Sequence, residues 1–168
     1  MKLDKKYLNT VCEPLPINKI RMRLYAGNSC PEADEAADLI KEMLKLCYAA
    51  DGTKIGIGLA ANQVGSNKRI IVVNHAALSE GMINPLIEKY RGGIYKSKEG
   101  CLSYPRKLVT VKRHKIIKLS WFTELWDRKT CSMRGLLAAV VQHEIDHLDG
   151  ISMLTRAKLG AATNEGVK

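Results

Sequence analysis

The chain has 168 residues, 46% of them hydrophobic and 26% charged, with a formal charge of +10 at pH 7. That length suits one domain whose core needs no disulfide staple, and that balance excludes wholesale disorder. No apolar run approaches the roughly 18 residues of a membrane span, and the basic N-terminus lacks the apolar stretch of a secretory signal. No membrane partner is expected, and the compartment is expected to be cytoplasmic, or organellar if a targeting segment has been removed.

Residues 1–28 read as an irregular start. A helix follows from Ser29: that residue can cap, Pro31 suits the first turn, and Glu32 lies three positions after the cap. Leu39 or Ile40, Met43 or Leu44, and Cys47 continue at helical spacing, which makes Cys47 a core residue, and Asp51-Gly52 ends the element. Arg69 to Asn74 is a buried strand. "MINPLI" is a second extended piece, in which Pro85 implies an edge or a bend. Leu108 to Leu119 is largely β-branched and reads as a strand, followed by a turn through "DRK" and a short strand around Cys131. Leu136 to Leu148 is helical and almost wholly apolar, so it should be buried. Residues 156–168 turn small and polar and are expected to fray. Strands around a buried helix predict an α+β fold, one domain over residues 1–168.

The five cysteines, Cys12, Cys30, Cys47, Cys101 and Cys131, are odd in number and irregular in spacing. That favours a reducing compartment, with one or more available as ligands. Six basic residues fall between Arg106 and Lys118 without an acid. They could steer the protein toward RNA or a polyanionic assembly, or be the outward lysines of a solvated edge strand.

The densest chemistry is "QHEIDH" at 142–147. At about 1.5 Å rise per residue, His143 and His147 share one helix face and can reach one ion, with Glu144 beside them. A catalytic ion needs three protein ligands and an open position. Met153 stands where one histidine-rich pattern would place its third ligand, and Glu165 lies in the expected frayed tail. His75, His114 and Cys101 remain. Cys101 is preferred because "EGCLS" presents it from a short glycine-preceded segment, where metal would deprotonate the thiol. Asp146 either orients a ligand imidazole or is an exposed helical aspartate. Earlier, "GIGLAANQVG" has glycines but neither nucleotide-binding spacing. Its Gln63 could make a structural hydrogen bond or direct its amide at an oxyanion.

Three signatures in order, "GIGLAANQ" at 56–63, "EGCLS" at 99–103 and "QHEIDH" at 142–147, closely resemble the peptide deformylase family. "INP" and "GLLA" match the connecting stretches, so the resemblance runs from about Gly56 to Ile151. It implies a peptide-deformylase-like fold, antiparallel or mixed sheets around a central helix carrying the His-Glu-x-x-His motif. It also implies a hydrolase that removes the formyl group from the initiator methionine of nascent chains. The family's metal ligands fall on Cys101, His143 and His147, the general acid/base on Glu144, and the oxyanion site on the Gln63 amide and the Leu102 N–H. Ferrous iron is the implied native metal, with zinc, nickel or cobalt in preparations. Ile57, Gly58, Leu136, Ala139 and Val140 would wall the methionine pocket. Glu99 would stand near the site with Arg113 as its partner.

The chain departs from the family pattern in places. Ala139 and Val140 replace a bulkier pair, which would widen the pocket. Asn62 replaces a common proline or threonine, and Leu108 stands where many members carry arginine, with Arg106 and Lys107 nearby. The long basic C-terminal helix that some members dock on the ribosome is lacking, so the basic body would make any such contact. A monomer acting on N-formylmethionyl peptides is expected. The rival readings are a metal-dependent amidase with another acyl substrate and a non-catalytic ribosome-associated protein of the same fold.

Overall fold

The computed structural model describes residues 2–162. Five strands, β1 (Gly58–Ala60), β2 (Ile70–His75), β3 (Leu78–Cys101), β4 (Tyr104–Phe122) and β5 (Arg128–Arg134), lie in that spatial order with every neighbouring pair antiparallel. Four helices accompany them: α1 (Ile17–Tyr25), α2 (Pro31–Lys45), α3 (Gly135–Leu148) and α4 (Met153–Leu159). The architecture is α+β with an antiparallel sheet.

The run "IIVV" in β2 shows how the sheet is covered. Side chains alternate across a strand, so Ile70 and Val72 join one core while Ile71 and Val73 join the other. The first core includes Ala36, Leu39, Ile40, Met43 and the buried Cys47 from the α2 region. The second takes Ala138, Val141, Ile145 and Leu148 from α3. A strand buried on both faces needs no polar alternation, and this one has none before Asn74. The α2 helix approaches so closely that a Cβ on Gly81 would stand 2.6 Å from Ile40.

β3 and β4 form a long hairpin whose register shifts between Ile83 and Leu86, Ile87 and Lys89, Arg91 and Ile94, and Glu99 and Cys101. Such shifts bend a ladder and let it curl around a core. Pro85 lies at the first shift, so it marks a bend inside β3. There Asn84 takes φ 49°, and its side chain accepts from the Leu15 N–H and donates to the Leu15 carbonyl, both at 2.9 Å.

Several expectations need correction. Residues 17–25, read as irregular, form α1; only its Ile20 is buried, which leaves a weak apolar pattern to detect. α2 begins after Cys30, with no side-chain cap, and ends at Lys45, well before Asp51-Gly52. β4 lies between β3 and β5 only over Ile116–Phe122; among the described residues the basic stretch before it pairs with β3 alone, with Lys112 and Lys115 exposed as an edge requires, but Arg113 is buried. The chain does not fray at 156. Ser152 caps α4 by accepting from the Thr155 N–H at 3.2 Å, and Arg156 is buried against Asp146. Residues 163–168 of the expected tail lie outside the described residues. Among the described residues, no helix is long and apolar enough to cross a membrane.

Candidate metal centre

α3 has three working faces, and helical periodicity explains each. Ala138, Val141, Ile145 and Leu148 repeat at three to four residues and anchor the helix in the core. Gln142 and Asp146, four apart, face polar partners instead. Gln142 accepts from the His114 N–H at 3.0 Å and donates to the His114 carbonyl at 2.9 Å, clipping the helix to β4. His143 and His147, also four apart, meet the tip of the β3–β4 hairpin.

That tip carries Cys101, which pairs with Tyr104 across a turn made by Leu102 and Ser103. The Cys101 Sγ lies 3.3 Å from His147 Nε2, which is 3.2 Å from His143 Nε2. All three donor atoms lie within 4.8 Å of one another. Donors around a four-coordinate ion, at about 2.0–2.1 Å for nitrogen and 2.3 Å for sulfur, would be spaced by roughly 3.3–3.6 Å. These two contacts are close to that spacing, and a thiolate with two imidazoles is a donor set suited to Fe(II) or Zn(II). The residues fit a divalent metal. The other two candidates lie apart: the His75 Nδ1 accepts from the Ala77 N–H, and the His114 Nε2 pairs with the Ala162 carbonyl.

The surroundings hold these ligands in place. The Glu99 carboxylate lies 2.9 Å from His143 Nδ1, which leaves Nε2 to face the other donors. The same carboxylate accepts from Arg113 Nε at 2.8 Å and Nη2 at 2.9 Å. Burial works to raise the Glu99 pKa, but His143 and Arg113 outweigh it and hold the carboxyl down to about 2. Burial works against the charged form of His143 as well, yet Cys101 and Glu99 lift it to about 10. Burial and the neighbouring His143 push His147 down to about 3.

Asp146 bonds no imidazole directly among the described residues. One residue before His147 on a helix, it points about 100° away, as the helical period requires. It is buried, accepting from Arg113 Nη1 and from Arg156 Nε and Nη2. The chain of contacts runs Arg156, Asp146, Arg113, Glu99, His143, with Arg113 only 2% exposed. Arg156 had no distinguishing sequence signal.

Glu144 is also buried, and its Oε2 has no hydrogen-bond partner among the described residues. Burial raises its pKa to about 7. A Cβ on Gly58 would lie 2.7 Å from Glu144 Oε1 and 2.9 Å from the Val140 side chain, so the carboxylate occupies space that only glycine leaves.

Gln63 lies in a short 3-10 turn, Ala61–Val64. Its Oε1 accepts from the Ala60 N–H at 2.8 Å, which turns Nε2 toward Ser103 Oγ at 2.9 Å and Cys101 Sγ at 3.5 Å. Asn62 donates to the carbonyls of Thr10 and His147, tying this turn to the end of α3. Sequence reasoning missed Ser103, which is 1% exposed; its only signal was its place at the end of "EGCLS".

A cavity of about 500 Å³ opens on these groups. Ile57, Gly58, Glu99, Leu136, Ala139 and Val140 line it, as do Gln63, Cys101, Leu102, His143 and Glu144. Leu108 lies there too, 68% exposed, with Arg106 and Lys107 beside it.

The polypeptide deformylase family model matches residues 4–161. The peptide deformylase of the cyanobacterium Picosynechococcus is 41% identical over 140 residues, covering 80% of this chain and 73% of that protein. Among solved structures, a probable peptide deformylase from Synechococcus phage S-SSM7 superposes with a TM-score of 0.74 at 32% identity, covering 93% of this chain and 99% of that one. The peptide deformylase of Thermotoga maritima does so at 0.76 and 26% identity, covering 93% and 97%. With the Cys101 sulfur and two imidazoles converging beside a buried glutamate, and with matches over nearly its whole length, this chain belongs to the polypeptide deformylase family.

Proposed function

We propose that the protein hydrolyses the N-formyl group of formylmethionyl peptides, releasing formate and a free α-amine. The observation that carries this reading is the convergence of Cys101, His143 and His147 donor atoms beside the buried Glu144 carboxylate, at the wall of a cavity. Those three side chains would hold one divalent ion, natively ferrous iron, with zinc, nickel or cobalt able to replace it. When bound, the ion supplies a Lewis acid that makes water nucleophilic near neutral pH.

The chain's own groups do the rest. Glu144, poised at about 7, takes a proton from the attacking water and returns it to the departing amine. As negative charge grows on the formyl oxygen, the Gln63 Nε2 and the Leu102 N–H stabilise it. Ala60 and Ser103 keep the Gln63 amide in the orientation this requires. Ile57, Gly58, Leu136, Ala139 and Val140 take up the unbranched methionine side chain.

Residues 1–168 act as a single catalytic domain and a monomer, working in the cytoplasm or an organelle on nascent chains. The excess of lysine and arginine supplies a surface for transient contact with the ribosome. Anaerobic reconstitution with ferrous iron, followed by measurement of formate from formyl-Met-Ala-Ser, tests the activity against Glu144→Gln as control. Formate release by the parent and not by the variant is expected. A fully loaded parent that releases none overturns the proposal.

A further inference from the structure

The outer part of the cavity is cationic. Lys98, Arg106 and Lys107 line it, are exposed, and lie on the β3–β4 hairpin that presents Cys101. The acids lining the same cavity are Glu99 and Glu144, both buried. Glu99 is already engaged with Arg113 and His143. Among the described residues, none of the three cations has an ion-pair partner.

Two further observations tie these charges to the site. Arg106 takes φ 64°, a left-handed conformation that a non-glycine residue adopts at a cost, although glycine would fit there freely. A backbone held so, at the mouth of a site, argues for the side chain it presents. Moreover, a Cβ on Gly100 would lie 3.5 Å from Leu108 Cδ2 and 3.7 Å from the Lys107 carbonyl. The segment bearing the cations therefore packs against the residue just before Cys101.

With formylmethionine at the metal, an extended peptide advances about 3.3 Å per residue, so its second to fourth residues leave through the mouth within roughly 10 Å. We propose that Lys98, Arg106 and Lys107 form a cationic collar selecting formylated chains with a carboxylate side chain at the second to fourth residue. This rests on the deformylation reading and adds a substrate class to it. A cavity of about 500 Å³ holds a few extended residues and no nucleic-acid duplex, so a carboxylate is favoured over an RNA phosphate backbone as the occupant.

The test compares iron-loaded enzyme on amidated formyl-Met-Ala-Asp, formyl-Met-Ala-Asn and formyl-Met-Ala-Lys, and on the same set with the variable residue moved one place either way. At low salt, kcat/KM for the best-placed Asp peptide should exceed that of its Asn partner by about fivefold, with the difference in KM. The Lys peptide should fall below Asn. The preference should shrink at about 0.5 M salt, as screening shortens the range of charge interactions. In the triple variant K98Q/R106Q/K107Q the Asp-to-Asn ratio should approach one. Equal turnover of all peptides by the parent at low salt overturns the collar while leaving deformylation intact. So does an acidic preference that survives the triple variant, or a triple variant whose sole defect is weaker ribosome co-sedimentation. Formate from none of the peptides overturns the deformylation reading, and the collar falls with it.

Discussion

The Glu99 carboxylate lies 2.9 Å from His143 Nδ1 and accepts two hydrogen bonds from Arg113. One buried carboxylate thus bonds a candidate ligand imidazole and is itself fixed by a buried guanidinium. Such outer partners commonly contribute tenfold to a hundredfold in metal affinity. Glu99→Gln keeps an oxygen acceptor but removes the charge, so cobalt or zinc affinity should fall by about that factor. Competition against a chelator of known strength checks this. Unchanged affinity would show that His143 needs no such partner.

Asp146 lies between Arg113 and Arg156, all three of them buried. Removing one member of a buried charge network leaves the others unpaired, at a cost of about 3–5 kcal/mol. Asp146→Ala should therefore lower the melting temperature by roughly 6–20 °C, at about 2–4 °C per kcal/mol for a chain of this size. Calorimetry on the metal-loaded protein measures it, and a shift of a degree or less would refute the network's structural role.

Gly58 makes room for Glu144, since a Cβ there would stand 2.7 Å from Oε1. Gly58→Ala should displace the carboxylate and reduce kcat by about tenfold to a hundredfold, because misplacing a catalytic group by about an ångström costs that much. Bound metal should stay at one equivalent, as no ligand is touched. Parallel metal analysis and formate assays separate the two, and wild-type turnover in the variant would mean that Glu144 tolerates movement.

Metal binding should protect one thiol selectively. Cys12, Cys30 and Cys47 are buried, Cys131 is exposed, and Cys101 is half-buried at the cavity. Brief alkylation of chelator-treated protein should label Cys101 and Cys131, and metal-loaded protein Cys131 alone. Peptide mass spectrometry reads the sites, and equal labelling of Cys101 in both forms would remove it from the ligand set.

Ala139 is 3% exposed and lines the cavity, so a wider methionine pocket should relax side-chain preference. One methylene in an apolar pocket is worth about 1–3 kcal/mol. Ala139→Ile should raise the preference for formyl-Met over bulkier formyl-peptides by about tenfold or more, read as a ratio of kcat/KM. A ratio unmoved by the substitution would place the side-chain pocket elsewhere.

What was legible in the residues is what local periodicity and spacing encode. His143 and His147 share a face because they are four apart on a helix, and the apolar run from Leu136 makes that helix a buried one. The β-branched Ile70–Val73 run announced a strand covered on both sides. Ordered signatures carried the family resemblance across gaps that periodicity cannot bridge. The tertiary structure alone decided the rest. The hairpin brings Cys101 to 3.3 Å from His147, 46 positions later in the chain. The Ala60 N–H takes the Gln63 oxygen and turns its nitrogen toward Ser103 and Cys101, an orientation that no local spacing encodes. Asp146, read beside His147, instead meets Arg113 and Arg156, and that contact also orders a segment whose composition suggested fraying. Hydrogen bonds between side chains from different elements follow no fixed sequence spacing, so they become visible only when the chain has closed upon itself.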